Sequence, residues 1–145
     1  MSNRLFQHTC LAIALLFTSA ASAEMARTVA PDGAEVYFIS PQDGETITGP
    51  VTVRMGLRGM GVAPAGVERA DTGHHHLLID TPLDQVDLSA PLLASDQTRH
   101  YGGGQTETTI ELEPGTHSLQ LLFMDYRHMS FDPPLHSDPI TIRVE

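Results

Sequence analysis

Val51-Thr52-Val53-Arg54-Met55-Gly56-Leu57-Arg58 reads with a period of two. Val51, Val53, Met55 and Leu57 fall on one side of an extended chain, and Thr52, Arg54, Gly56 and Arg58 on the other. A helix would scatter these apolar residues around its axis. A strand collects them on one face of a sheet, with Met55 in the core stripe and the arginines in water. The alternation recurs downstream. Thr106, Thr108, Ile110 and Leu112 alternate with Gln105, Glu107, Thr109 and Glu111. Leu119, Leu121 and Phe123 alternate with Ser118, Gln120 and Leu122, and Ile140, Ile142 and Val144 with Thr141, Arg143 and Glu145. Glu35 to Ser40 and His75 to Asp80 supply two more strands. Pro41-Gln42-Asp43-Gly44 and Glu113-Pro114-Gly115-Thr116 are turns that can continue neither neighbour. About six or seven short strands without helices predict an all-β fold, an immunoglobulin-like antiparallel β-sandwich spanning residues 34–145.

The N-terminus carries a different signal. Arg4 precedes an apolar run centred on Leu11 to Phe17, and small residues follow, ending in Ala21-Ser22-Ala23. This is the pattern of a cleavable secretory signal peptide over residues 1–23, with Glu24 as the first mature residue. The run is shorter than the ~20 residues a membrane-spanning helix requires, so no stable membrane anchor is expected. Cys10 opens the apolar run and is misplaced for lipidation. The expected location is the periplasm, with residues 24–33 as a flexible lead-in to the domain.

Removing 23 of 145 residues leaves 122, enough for one domain with a packed core. The single cysteine, Cys10, leaves with the signal peptide. Disulfides, thiolate metal sites and cysteine nucleophiles are thereby excluded from the mature chain. All eight basic residues are arginines; without Arg4, seven face 18 acidic residues, a formal charge of −11. Such a surface repels phosphate backbones and anionic lipid, so nucleic acid is not an expected partner.

The remaining chemistry lies in the histidines. His74, His75, His76, His100, His117, His128 and His136 belong to the mature chain, and Met55, Met60, Met124 and Met129 add thioethers. Neutral imidazole suits copper, zinc and nickel, and thioether favours cuprous copper. On a strand His74 and His76 share a face at the i, i+2 spacing that can chelate one ion, while His75 lies with Leu77 and Ile79 as a satisfied core or sheet-edge histidine. His100 precedes Gly102-Gly103-Gly104, where backbone can approach closely. His128 and Met129 are placed in a loop that would join the site by folding over the triple-histidine strand. His117 shares the face of Leu119 and Leu121 and is expected to be a buried structural histidine bonded to backbone. His136, beside Pro133 and Pro134, is expected to be exposed. The candidate metal ligands are therefore His74, His76, His100 and His128. Catalytic signals are missing: there is no G-x-S-x-G elbow, no phosphate-binding glycine loop opening a helix, and no calcium-loop spacing at Asp80, Asp84 and Asp87. The long stretches 59–73 and 81–104 are expected to be functional loops.

Three runs carry a resemblance. They are Gly73-His74-His75-His76-Leu77-Leu78-Ile79-Asp80, His100-Tyr101-Gly102-Gly103-Gly104-Gln105-Thr106-Glu107, and Pro114-Gly115-Thr116-His117-Ser118-Leu119-Gln120-Leu121. With Asp125, His128 and Ser137, the chain from about Val36 onward resembles the bacterial family catalogued as domain of unknown function 4399. The resemblance implies a small exported sandwich domain and supplies no activity or ligand set. The expected function is binding of a transition metal, copper first and zinc as the alternative, for buffering or delivery to an exported partner protein. The competing expectation is a non-catalytic structural or interaction domain whose histidines knit the sandwich together. An enzyme with a histidine-held metal ranks last.

Overall fold

A computed structural model describes residues 26–145. The expected signal peptide lies outside the described residues. Among those described, no helix is long and apolar enough to cross a membrane.

Among the described residues, ten strands form in the order β1 (Glu35–Ser40), β2 (Thr46–Ile47), β3 (Val51–Arg58), β4 (Gly61–Val62), β5 (Thr72–Ile79), β6 (Thr98–His100), β7 (Glu107–Ile110), β8 (Gly115–Met124), β9 (Ser130–His136) and β10 (Ile140–Val144). One 3-10 turn, Leu83–Gln85, interrupts the connection from β5 to β6. The smaller sheet has the order β1-β3-β7 and is antiparallel. The larger runs β2-β10-β8-β5-β4, with β6 added along β5 and β9 along β8. Its long pairings are antiparallel, and only the two-residue strands β2 and β4 run parallel to their neighbours. The chain is an immunoglobulin-like β-sandwich.

The period-two residues make the core. Val36, Val51, Val53, Met55 and Ile110 from the small sheet meet Leu77, Ile79, Leu119, Leu121, Phe123, Ile142 and Val144 from the large one. Burying each such side chain contributes roughly 1.5–3 kcal/mol before the entropy of ordering is subtracted.

Alternation alone missed four strands. Three are two or three residues long, too short to show a period. The fourth, β9, contains Pro133 and Pro134, which cannot donate to a ladder; its one strand partner is β8, and its other side carries a single bridge, from Asp132 to Val29, at the sheet edge where proline is tolerated.

Two features lie beyond what alternation specifies. The larger sheet is buried on both faces along β5: His74, His76 and Leu78 are as buried as the inward Leu77. Leu122, Met124 and Met129 are also fully buried, yet lie outside the cluster between the sheets. The lead-in, where described, makes contacts with the domain. Asp132 N donates to Thr28 O (2.9 Å), Val29 bridges to Asp132, and Thr28 Oγ1 donates to an Asp125 carboxylate oxygen (3.1 Å).

Candidate metal centre

His74 and His76 project from the same face of β5, because residues two apart on a strand do so. β6 lies along the free edge of β5 with His100 directly opposite His76. The turn from β8 to β9 brings in His128, which adopts a left-handed backbone with φ of +64°. Four imidazoles from three separate segments thus converge. His74 Nε2 and His76 Nε2 are 3.0 Å apart, and His100 Nε2 and His128 Nε2 are 3.1 Å apart. His74, His76 and His100 each present a ring nitrogen within 4.8 Å of the others. His128 closes the group through His100 and His74, with ring centroids 4.8 and 4.9 Å away.

His74 and His76 are fully buried, whereas His100 is exposed and His128 half-buried. An ion would therefore enter from the side of His100 and His128. Among the described residues, the Nδ1 atoms of His74 and His76 have no hydrogen-bond partner. Buried polar atoms without partners are rare outside strained or functional places.

Burial is the first cause of an unusual charge state. It lowers the His74 pKa to about 4, with His128 and His100 adding to the fall. His76 is pushed lower still by burial and by His74, His100 and His128. His100 is lowered by burial and by His128. A depressed pKa keeps imidazole neutral near pH 7, with a lone pair available to a cation.

The turn that presents His128 is built on Asp125, a residue to which the sequence assigned no role. One carboxylate oxygen accepts from Arg127 N (2.8 Å) and Met129 N (3.0 Å). The other accepts from Arg127 Nε (3.1 Å), Arg127 Nη2 (2.8 Å) and Thr28 Oγ1 (3.1 Å). Burial alone would raise its pKa; the Arg127 guanidinium and the two amides outweigh that and hold it below the ordinary value. His128 N donates to Asp125 O (2.9 Å), and Arg127 Nη2 reaches Ala26 O (3.1 Å). Leu92 N donates to His128 O (3.0 Å), which places the middle of the long connection after β5 at the site. Gly102 lies against the His100 ring, so that a Cβ there would overlap Cε1 and Nε2. A run of polar residues around a turn carries the Asp125 signal, and an Asp followed two residues later by Arg was the only trace of it in the sequence.

The other histidines stay apart from this group. His75 points inward against Phe123, with ring centroids 4.9 Å apart. It is buried as expected but not satisfied: neither ring nitrogen has a partner, and burial lowers its pKa to about 4. His117 was expected to be buried and bonded to backbone; the backbone bond is present, but the residue is half-buried. Its Nε2 donates to Glu113 O (2.8 Å) and its Nδ1 meets an Asp80 carboxylate oxygen (2.7 Å), with 15% of the side chain exposed. The Glu113 carbonyl and the Asp80 carboxylate both raise its pKa. His136 is exposed and its Nδ1 lies 3.0 Å from Ser137 O. Met55 is core. Met124 stands opposite His74 in the β5–β8 ladder, on the face away from Phe123.

Comparison with known proteins adds the lineage. No curated protein sequence matches the chain. The endo-beta-1,4-mannanase from Thermotoga petrophila is similar over 77% of this chain and 20% of its own, with 17% identity and a TM-score of 0.45. The fibronectin(III)-like modules of CbhA from Clostridium thermocellum are similar over 75% of this chain and 92% of theirs, with 14% identity and a TM-score of 0.35. The chain spans one fifth of the mannanase, and likenesses this distant carry no functional weight. The family model described as Domain of unknown function (DUF4399) matches residues 53–145, which hold all four converging histidines, and the chain belongs to that family.

Proposed function

We propose that this protein is an exported, periplasmic carrier that holds one transition-metal ion, copper, between His74, His76, His100 and His128, and buffers it or passes it to an exported partner. The observation that carries this function is the convergence itself. Sandwich stability does not require four imidazoles from β5, β6 and the β8–β9 turn to gather with their Nε2 atoms in two close pairs. Placing them together costs desolvation of polar rings, and the ring nitrogens gain few hydrogen bonds in return. A bound ion would use those lone pairs. Imidazole-only donors suit copper and zinc and disfavour magnesium, calcium and manganese, which prefer oxygen. The two accessible ligands, His100 and His128, are the ones a receiving protein could replace first. The function proposed is binding and handover, with no reaction catalysed.

Titration of the untagged mature chain, residues 24–145, with copper and with zinc tests this. One ion per chain is expected, with affinity lost in the His74→Ala/His76→Ala double variant. Because those two side chains are buried, His100→Ala and His128→Ala serve as variants at accessible positions. Each should weaken binding while the β-sheet circular dichroism and melting temperature stay close to the parent. If the parent binds no ion, or all three variants bind like the parent, the proposal fails and the histidines are scaffold.

A further inference from the structure

Resting on the proposed metal carrier, the shape of the cluster says more about the ion. The four rings define six centroid separations. Five are nearly equal: 4.9 Å for His74–His76, 5.1 Å for His74–His100, 4.9 Å for His74–His128, 5.0 Å for His76–His100 and 4.8 Å for His100–His128. The sixth, His76–His128, is 6.0 Å. A square of four rings would have four equal edges and two diagonals longer by a factor of roughly 1.4, the pattern a square-planar ion requires. Here only one separation is longer, and by less than that. The ring centroids form a tetrahedron stretched along the His76–His128 edge, with the ligand atoms of His74, His76 and His100 the most tightly grouped. Four nitrogens about 2.0–2.1 Å from a tetrahedral ion are separated by about 3.3 Å. The two measured Nε2–Nε2 distances, 3.0 and 3.1 Å, are close to that edge.

Tetrahedral nitrogen donors favour ions without a d-electron preference for the plane, which for this donor set are Cu(I) and Zn(II). Charge separates these two. An imidazole ligand brings no negative charge of its own, and two of the four are fully buried. Asp125, the carboxylate whose charge acts on His74, is already paired with Arg127. Among the described residues the cluster therefore gains no free negative charge to offset a dication. One positive charge in a half-desolvated cavity costs far less than two, since the Born penalty scales with the square of the charge. Met124, buried and opposite His74 on the same face of the sheet, adds a soft sulfur to the surroundings.

We infer that the four-histidine tetrahedron selects copper in its monovalent state, so that the protein is a Cu(I) carrier rather than a carrier of Cu(II) or Zn(II).

Anaerobic competition against a chromogenic Cu(I) chelator, with parallel competitions for Cu(II) against glycine and for Zn(II) against a fluorescent chelator, tests this on the mature chain. The expected result is one Cu(I) per chain, held at least 100-fold more tightly than Cu(II). At 59 mV per tenfold this equals a Cu(II)/Cu(I) couple raised by about 120 mV over the free ion. Zn(II) at equal free concentration should fail to displace the Cu(I). Tighter binding of Cu(II), with a tetragonal electron paramagnetic resonance signal, overturns the inference and leaves the carrier function standing. Displacement of Cu(I) by Zn(II) overturns it likewise. Failure to bind any of the three ions removes the carrier function itself.

Discussion

His76 and His100 stand directly opposite one another in the β5–β6 ladder, with ring centroids 5.0 Å apart. β6 is only three residues long, and its backbone pairing with β5 is what delivers His100 to the buried pair on the longer strand. The site is thus assembled by sheet register, and its weak points are the places where register or turn geometry hold a single imidazole.

Gly102 is one such place. It has no side chain where a Cβ would overlap the His100 ring. The His100 ring is the end of an exposed side chain and can swing away. Gly102→Ala is therefore expected to weaken metal binding at least tenfold while shifting stability by less than about 1 kcal/mol. Calorimetric titration alongside thermal melting checks both halves; an unchanged dissociation constant would show that the His100 position is not needed.

Asp125 is the other. Its carboxylate is 2% exposed and organises the His128 turn together with Thr28 and Arg127. Asp125→Ala leaves buried donors unsatisfied and should destabilise the domain by about 3 kcal/mol. Thr28→Ala removes one of those bonds and should cost about 1 kcal/mol, with a smaller loss of metal affinity. Urea unfolding of both variants, with and without metal, orders them. Equal stability of Asp125→Ala and parent would contradict this role of the carboxylate.

His75 predicts an acid-sensitive core. Its pKa in the fold is about 4, below the ordinary histidine value of 6.5. A depressed value means that the unfolded chain binds the proton more readily. Stability from the neutral ring is present above about pH 6.5 and is lost as pH falls towards 4, by about 1.4 kcal/mol per unit for this residue alone. His74 and His76 act in the same direction. His75→Leu, which replaces two unpartnered nitrogens by carbon, should raise stability at pH 5 more than at pH 8 and leave metal affinity unchanged. Chemical denaturation at the two pH values reads this directly, and a variant less stable than the parent at pH 5 counts against it.

His117 behaves oppositely. The Glu113 carbonyl and Asp80 raise its pKa above the ordinary value. The stabilisation is fully present below about pH 6.5 and is lost as pH rises through the folded value. Asp80→Asn should move the His117 titration, followed by nuclear magnetic resonance, back towards pH 6.5 without altering metal affinity. A titration midpoint that does not move would place the cause elsewhere.

Much of this was legible in the residues. Period-two runs such as Val51 to Leu57 and Leu119 to Phe123 set the strands and the core, since burial on one face demands that spacing. The i, i+2 spacing of His74 and His76 put both on one face, and the loop position of His128 allowed it to fold over. The second burial of β5 was not legible, because His76 and Leu78 are flanked by β6, whose Thr98 and His100 lie some twenty residues further on and in a strand too short to show a period. Neither was the Asp125 turn, whose partners Thr28 and Arg127 lie 97 residues back and two forward. Nor were the contacts of the lead-in: bonds from Thr28 to Asp125 and Asp132 leave no local trace.

X-ray absorption at the copper edge of the metal-loaded, untagged mature protein tests the central claim most directly. One ion per chain surrounded by four nitrogen neighbours at about 2.0 Å, with the outer-shell scattering of imidazole rings, is the result predicted. A protein that retains no copper after gel filtration, or an ion ringed by oxygen, would contradict it.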